Sequence, residues 1–204
     1  MSVRSLLLSA LIACSLPVWA EGFYGVGEIT HSSTSLDSTY FNNQLSSNGS
    51  PAVSSNSSGS GAQWRLQLGY QFNDTFSIEG GYIDFGKAKY SANYGSGNAQ
   101  GTLKAGGVDV AGLVSLPLND QLSVFGKLGL AAAQVKSSLS TDTLGNFDSK
   151  KTMVRPLVGI GAVYKLNASW DLRGDLDSVR DLGKNDTTGK MSTTMFSLGT
   201  VYHF

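Results

Sequence analysis

Charged residues recur at every second position in several short stretches of this sequence. In Asp171–Leu176, acidic and basic residues alternate with Leu and Gly. A β-strand points successive side chains to opposite faces, so one face of such a strand would carry ions and the other apolar groups. Ions withdrawn from water must pair, because an unpaired buried charge is costly. The pattern therefore predicts a network of ion pairs, with these candidates: Glu28, Arg65, Glu79, Asp109, Lys127, Arg155, Arg173 and Asp175.

The elements that must position these charges are β-strands with an alternating pattern. The clearest is Gln63–Phe72, in which Trp64, Leu66 and Leu68 share one face with two further aromatic residues. The other face of that strand carries Gln, Arg and Gly. The same period of two predicts eight strands, at residues 22–31, 63–72, 75–85, 104–118, 121–136, 152–166, 169–179 and 192–204.

The last of these strands gives the clearest indication of whether the barrel lies in water or in lipid. Counted back from the C-terminus, one face consists of Phe204, Tyr202, Thr200, Leu198 and Phe196. A soluble domain has little reason to expose such an edge, whereas a closed barrel in lipid turns its apolar face to hydrocarbon and has no edge. This ending resembles the C-terminal strand of Gram-negative outer-membrane proteins, in which the terminal Phe is read by the barrel-assembly machinery. These five residues are therefore predicted to be an assembly signal.

The connections between the predicted strands alternate in length. Turn-forming pairs follow strands two, four and six, at Asn73-Asp74, Asn119-Asp120 and Asn167-Ala168. Long connections follow the other strands, at residues 32–62, 86–102, 137–150 and 180–191. Short turns on one rim and long loops on the other are typical of transmembrane barrels, whose short rim is periplasmic. The sequence thus predicts an all-β fold: an eight-stranded antiparallel up-and-down transmembrane β-barrel with short periplasmic turns and long extracellular loops. The first loop, rich in Ser, Asn and Gly, is predicted to be mobile.

A soluble eight-stranded barrel such as a lipocalin is the main alternative fold, because it would show the same alternation with the two faces exchanged. Aromatic residues near predicted strand ends, for example Trp64, Tyr82 and Trp170, favour a girdle at a membrane interface instead. The opposite face is rich in Gly and Ala, which suits a crowded interior better than a solvated surface. The membrane barrel is therefore the favoured prediction.

The composition and the N-terminus indicate an exported chain. The 15 Lys and Arg residues balance 15 Asp and Glu residues, so the chain has no electrostatic footprint for nucleic acid. Arg4, a short apolar run and Val18-Trp19-Ala20 predict a signal peptide at residues 1–20, followed by the barrel at 21–204. Cys14, the single cysteine, stands in a stretch that resembles a lipoprotein lipobox, so lipidation there is an alternative.

Four stretches of the chain together resemble the OmpA-like transmembrane barrel family. Three of them begin at Tyr70, Gly107 and Arg155, and the fourth is the ending FSLGTVYHF. The resemblance covers nearly all of residues 21–204 outside the loops. It implies a monomeric outer-membrane barrel with a charged interior network. Its implied partners are outer-membrane lipid and lipopolysaccharide, and the barrel-assembly machinery during insertion.

The resemblance also implies roles for particular interior residues. Glu79 matches the family's interior acid and Arg173 its interior arginine, whereas Leu113 stands at the position of an interior lysine. The charges would form either a structural plug or a gate whose pairs exchange to open a narrow ion path.

Two further functions are alternatives. An outer-membrane enzyme acting on lipid A would need a His base beside a Ser or Asp. His31-Ser32-Ser33 resembles the His-x-Ser of a lipid A deacylase, but the rest of that motif is missing, and His203 lies at the predicted periplasmic end. We therefore predict no enzyme, metal or cofactor. Adhesin-like binding through the long loops is the other alternative, with Tyr40, Phe41, Tyr90 and Tyr94 as candidate anchors.

Overall fold

A computed structural model describes residues 22–49, 52–94, 97–142, 145–184 and 187–204 of the chain. The predicted signal peptide, with Cys14, lies outside the described residues. The elements are β1 Phe23–Asp37, α1 Thr39–Ser47, β2 Ala52–Ser58, β3 Ser60–Gln71, β4 Phe76–Tyr94, β5 Gly97–Pro117, β6 Leu122–Thr141, β7 Gly145–Lys165, β8 Trp170–Lys184 and β9 Gly189–His203.

The strands form one antiparallel sheet that closes into a ring. Consecutive strands from β3 to β9 are neighbours, and β1 pairs with both β3 and β9, so the first and last strands meet and close the ring. The ninth strand, β2, is separated from β3 only by Gly59 and extends it by pairing with β4. The wall therefore has eight strand positions, which confirms the predicted up-and-down barrel.

The two ends of the barrel differ as the connection lengths predicted. At one end, here termed the turn end, three tight turns share the same geometry. The side-chain oxygens of Asn73, Asn119 and Asn167 each accept hydrogen bonds of 2.8–3.0 Å from two backbone N–H groups. This side-chain mimicry of a backbone turn is the reason that Asn is favoured there.

At the opposite end, here termed the hairpin end, the predicted long loops are wrong in their boundaries. The β4–β5 ladder continues to the pair Tyr94 and Gly97, and the β6–β7 ladder continues to Thr141 and Gly145. β5 has 21 residues, about twice the length that a strand needs to cross a bilayer. Most of the residues assigned to loops are therefore strand extensions that project beyond the apolar band.

The two faces of the wall are those that the alternation predicted. Leu68 and Leu128 on the outer face are 66% and 69% exposed, whereas Arg65 on the inner face is 0% exposed. Aromatic rings cluster on the outside near the turn end, where Trp170 lies 4.8 Å from Tyr202 between ring centroids. An apolar outer face with an aromatic border is the arrangement that suits hydrocarbon.

The first long connection, predicted to be mobile, instead contains a helix that closes the hairpin end. Tyr40, Phe41 and Leu45 of α1 are buried inside the extended hairpins. The ring of Phe41 stacks on Tyr90 at 4.8 Å, and the Tyr90 hydroxyl donates a hydrogen bond of 2.5 Å to Asn42. Three apolar side chains suffice to order the segment, because the hairpins already provide a surface for them to pack on.

No helix within the described ranges is long and apolar enough to cross a membrane.

Below α1, a second apolar layer fills the interior. Its buried residues come from six strands: Ile83, Phe85, Ala88, Leu103, Ala105, Ala131, Ala133, Val135, Leu157, Val179, Leu182, Met191 and Met195. This group is termed the apolar layer. Along each strand it lies on the hairpin side of the interior charges, so the charges are separated from the hairpin end by packed side chains.

Candidate functional site

Seven ionisable side chains meet inside the barrel between the apolar layer and the turn end. They are Glu28, Arg65, Glu79, Lys127, Arg173, Asp175 and Asp177, and their side chains are at most 2% exposed. This set is termed the lumen network. Four carboxylates face three cations, so every cation has more than one acidic partner within reach.

Arg173 of β8 is the centre of the lumen network. Its two terminal nitrogens donate to both carboxylate oxygens of Glu79, with the second bond at 3.0 Å. Its Nε lies 2.9 Å from Asp175 and 3.4 Å from Glu28. The guanidinium also lies 4.6 Å from the ring centroid of Phe125. Only the planar fork of arginine can satisfy a bidentate partner, a second carboxylate and a ring at once.

The other two cations share a pair of aspartates. Arg65 lies 2.6 Å from Asp177 and 3.1 Å from Glu28, and Lys127 lies 2.7 Å from Asp175. Asp175 lies within 3.3 Å of all three cations and Asp177 within 3.3 Å of Arg65 and Lys127, which links the pairs into one continuous cluster. Pairing every charge in this way offsets part of the cost of withdrawing the ions from water.

Many of these side chains come from strands that are two apart in the wall. They can touch because the strand in the middle has a glycine at that height. Lys127 on β6 and Asp177 on β8 are both register partners of Gly159 on β7, and their charged atoms lie 3.3 Å apart. Strands two apart are separated by about 9–10 Å, so a side chain on the middle strand would block the contact. The same arrangement recurs in Glu28–Gly199–Arg173, Tyr24–Gly69–Glu79 and Gln67–Gly81–Asp109.

Two residues of the predicted charge network, Asp109 and Arg155, lie outside the lumen network. Asp109 faces the interior but lies outside the lumen network, and it accepts a hydrogen bond of 2.9 Å from Gln67. The assignment of Arg155 to the network is wrong. The β7–β8 ladder ends at Leu157 and Val179, and beyond that point the Arg155 Nε donates to the Asp181 carbonyl at 2.7 Å. Arg155 therefore bridges a gap in the wall.

Three contacting residues were absent from the predicted site. Asp177 and Gln67 stand at inward positions of their strands, and Tyr24 shares the inner face of β1 with Glu28. The Tyr24 hydroxyl donates a hydrogen bond of 2.9 Å to Glu79. Alternation alone identifies the face of each, but their depth in the barrel depends on how the strands are staggered. The sequence therefore indicated which face of its strand each residue occupies, but it did not indicate the height of the residue along the barrel axis.

The residues around Leu113 explain why a leucine stands where the family resemblance expects an interior lysine. It is buried on the inner face with Ala111 and Phe125, and it stands opposite Lys127 on the adjacent strand. The lysine of the lumen network therefore projects from β6, one strand away from the position at which the family resemblance places it.

A polar cavity of about 380 Å³ opens at the turn end. Its lining includes Tyr24, Glu79 and Arg173, so the Arg173–Glu79 pair forms part of its inner boundary. His203, also in the lining, lies 2.7 Å from Asp171. His31 lies elsewhere, exposed on the outer face of β1 and opposite Phe196. The two histidines therefore do not form a joint site.

The predicted assembly signal lies on the outer face of the last strand. Phe196, Leu198 and Phe204 are more than half exposed there, with Thr200 and Tyr202 between them. The strand pairs along its length with both β1 and β8. It therefore completes the ring and contributes to the apolar belt.

Comparison with known proteins agrees with this geometry. A family model described as the OmpA-like transmembrane domain matches residues 32–204. Outer membrane protein A of Serratia marcescens is 32% identical over 139 residues, which cover 67% of this chain and 38% of the relative. Outer membrane protein A of Yersinia pseudotuberculosis is 30% identical over the same shares of the two chains. The aligned part thus spans less than half the length of these relatives.

Solved structures show the same fold at low sequence identity. Neisserial surface protein A is 18% identical with a TM-score of 0.58, and the alignment covers 90% of this chain and 97% of that one. Ail, the attachment invasion locus protein of Yersinia pestis, is 15% identical with a TM-score of 0.53, and the alignment covers 90% and 99%. From the family match, the relatives and the barrel geometry, the chain belongs to the OmpA-like transmembrane domain family and is a β-barrel protein of the outer membrane.

Proposed function

We propose that this protein is a closed barrel that acts as a structural and surface-interaction scaffold and does not provide an open pore. The observation that supports this proposal is the order in which layers of buried side chains follow one another along the barrel axis. The lumen network, the apolar layer and α1 follow one another from the periplasmic turn end to the extracellular hairpin end. A barrel of eight strands is just wide enough for side chains to fill, so these layers leave little room for solutes.

The extracellular part supplies the surface for interaction. The hairpins extend well beyond the apolar band, and their inner sides are held by the cluster around Phe41, Tyr90 and Leu139. A rigid scaffold that displays its outer side chains to the medium is a common basis for binding. Tyr40, Phe41 and Tyr90, which were candidate anchors for a binding partner, are buried. We therefore assign these three residues to stabilising the scaffold and not to direct contact with a partner.

A gated ion path is the second candidate, and one observation favours it. Arg173 lies within reach of three carboxylates, so its partners could exchange without leaving a charge unpaired. The polar cavity reaches this pair from the periplasmic side. A path through the barrel would additionally require the apolar layer and α1 to move, which is why the closed scaffold is preferred.

Single-channel recording in planar bilayers distinguishes the two. For the closed scaffold we expect no resolved conductance from the wild type, and none from Glu79→Ala or Arg173→Ala. Discrete openings in the wild type that change in both variants would support the gate. Such openings would overturn the closed scaffold.

We assign no enzymatic activity, since His31 lies on the outer face of β1 and His203 is paired with Asp171 at the opposite end. The barrel is taken to be a monomer inserted by the barrel-assembly machinery through its last strand. Replacing Phe204 by Ser should lower the amount of folded barrel in outer membranes, whereas Thr194→Ser, on the same face of β9 but outside the predicted signal, should not.

A further inference from the structure

Four lysines stand directly opposite one another on four neighbouring strands of the outer wall. The ladders pair Lys87 of β4 with Lys104 of β5, Lys104 with Lys136 of β6, and Lys136 with Lys150 of β7. All four side chains are exposed. This set is termed the lysine row.

Folding stability does not explain the lysine row. Like charges directly opposite each other on antiparallel strands destabilise the sheet. Among the described residues, the ion pairs of the barrel include none of these four lysines. Nearby, the Asp84 carboxylate accepts from the Gly86 backbone at 2.9 Å, and Asp148 stands opposite Ser138. An external anion would relieve the repulsion that remains.

The lysine row lies just beyond the apolar band of the wall. Val108 and Val154 are exposed apolar residues four positions from Lys104 and Lys150 along their strands. At about 3.3 Å per residue and a tilt of about 40°, four residues rise about 10 Å along the barrel axis. A lysine can extend its ammonium back toward the interface while its stem covers apolar surface. The four charges are therefore within reach of the headgroup layer of the outer leaflet.

The opposite side of the barrel differs at comparable positions. Four residues beyond Ile29 on β1 is Ser33, and four residues beyond Phe196 on β9 is Ser192. Arg180 lies in the register shift of β8, between the ladder positions Val179 and Leu182, and Lys190 on β9 stands opposite Asp37 and lies 3.9 Å from Asp181. The concentration of positive charge is thus a property of the β4–β7 side.

A groove between the central strands adds hydroxyl groups to the lysine row. It has a volume of about 570 Å³, and its lining includes Lys104, Lys136 and Lys150 together with Thr102 and Ser138, whose side chains share the outer face with the lysines. Asp148 is the acid in this lining. Ammonium groups flanked by hydroxyl donors suit the oxygens of a phosphate monoester.

We propose that the lysine row binds the phosphate groups of phosphorylated glycolipids in the outer leaflet, of the lipid A class. The position favours a lipid over a sulfated polysaccharide, because the row borders the apolar band and lies well below the tips of the hairpins. Each lysine near an anionic lipid surface contributes about a fivefold gain in affinity. Two central lysines together account for about a thirtyfold gain.

The experiment titrates the folded barrel in nonionic detergent with bis-phosphorylated lipid A, with dephosphorylated lipid A and with heparin fragments. The wild type should bind the phosphorylated lipid, and removal of the phosphates should abolish most of the affinity. Lys104→Gln/Lys136→Gln should weaken binding of phosphorylated lipid A about thirtyfold. Lys104→Arg/Lys136→Arg should retain most of it, because the positive charge is kept.

A matched control removes the same charge elsewhere. Lys165→Gln/Lys184→Gln changes one lysine at the turn end and one on β8, and it should leave the affinity for phosphorylated lipid A within about twofold of the wild type. Heat-modifiable gel migration verifies that each variant is folded. Equal affinity of wild type and Lys104→Gln/Lys136→Gln for lipid A would overturn the proposal. So would equal binding of both forms of lipid A, or binding of heparin at the lysine row with no binding of lipid A.

Discussion

Lys127 on β6 and Asp177 on β8 form a 3.3 Å ion pair across Gly159, which occupies the strand between them. Their strands are not neighbours, so the contact exists only because the middle strand has no side chain at that height. A Cβ at Gly159 would fall on the Asp177 carboxylate. The interior of this barrel is therefore built from charged residues that meet over glycines.

The first prediction concerns that glycine. Gly159→Ala should lower the free energy of unfolding by about 1–3 kcal/mol, since an added methyl group must displace a packed carboxylate. Gly112→Ala is the matched control, because a Cβ there has no neighbour within 4 Å. Urea unfolding in lipid vesicles measures both. Equal stability of the two variants would contradict the proposed role of the glycine.

The second prediction concerns Arg173. Arg173→Ala leaves the carboxylates of Glu79 and Asp175 without their main partner and should destabilise the barrel by about 3–5 kcal/mol. Arg173→Met combined with Glu79→Leu should cost less, because it removes one ion of each sign. The exposed Arg180→Ala should change stability by less than about 0.5 kcal/mol. The account fails here if Arg173→Ala and Arg180→Ala unfold at the same urea concentration.

The third prediction concerns the outer face. Leu68 is 66% exposed in the middle of the apolar band, so Leu68→Arg should destabilise the inserted barrel by about 2–4 kcal/mol. Ser140→Arg, on the exposed face of the β6 extension and opposite Gln100 and Asn146, should have little effect because that position lies outside the hydrocarbon. Folding yield into vesicles compares them. A tolerated Leu68→Arg would mean that this face does not contact lipid.

The fourth prediction concerns the helix at the extracellular end. Phe41→Ser/Leu45→Ser removes two fully buried side chains of α1 and should release the helix from the hairpins. Limited proteolysis of intact cells should then cleave within residues 38–49 much faster than in the wild type. Asn43→Ser, at an exposed position of α1, should keep the wild-type cleavage rate. Resistance of the double variant to protease would show that α1 is held by other contacts.

The sequence was sufficient to predict which face of its strand each residue occupies. It was insufficient to predict the height of each residue along the barrel axis. Period-two alternation places Arg65 and Arg173 on the inner face without any tertiary information. Whether they meet depends on the stagger between strands, and that is set by the whole ring of ladders. Arg155 shows the consequence, because it has inward alternation but lies beyond the last rung of the β7–β8 ladder.

The hairpin end was the least predictable part for a different reason. The sequence of α1, TYFNNQLSS, contains few strong helix formers, and isolated helices of this length are marginal in water. Its order comes from Phe41 packing on Tyr90, a residue 49 positions later in the chain. The composition of the first long connection cannot reveal a contact with a residue so far along the chain. The segment is rich in polar residues, and it was therefore predicted to be mobile.

Thiol labelling tests the closed interior most directly. Residues 21–204 contain no cysteine, so single cysteines can be placed at Ser77, in the lining of the turn-end cavity, and at Ala133, in the apolar layer. In the folded barrel, a charged thiol reagent should modify Ser77→Cys from the turn end and leave Ala133→Cys unmodified from either end. Rapid modification of Ala133→Cys in a barrel that is verified to be folded would contradict a sealed lumen.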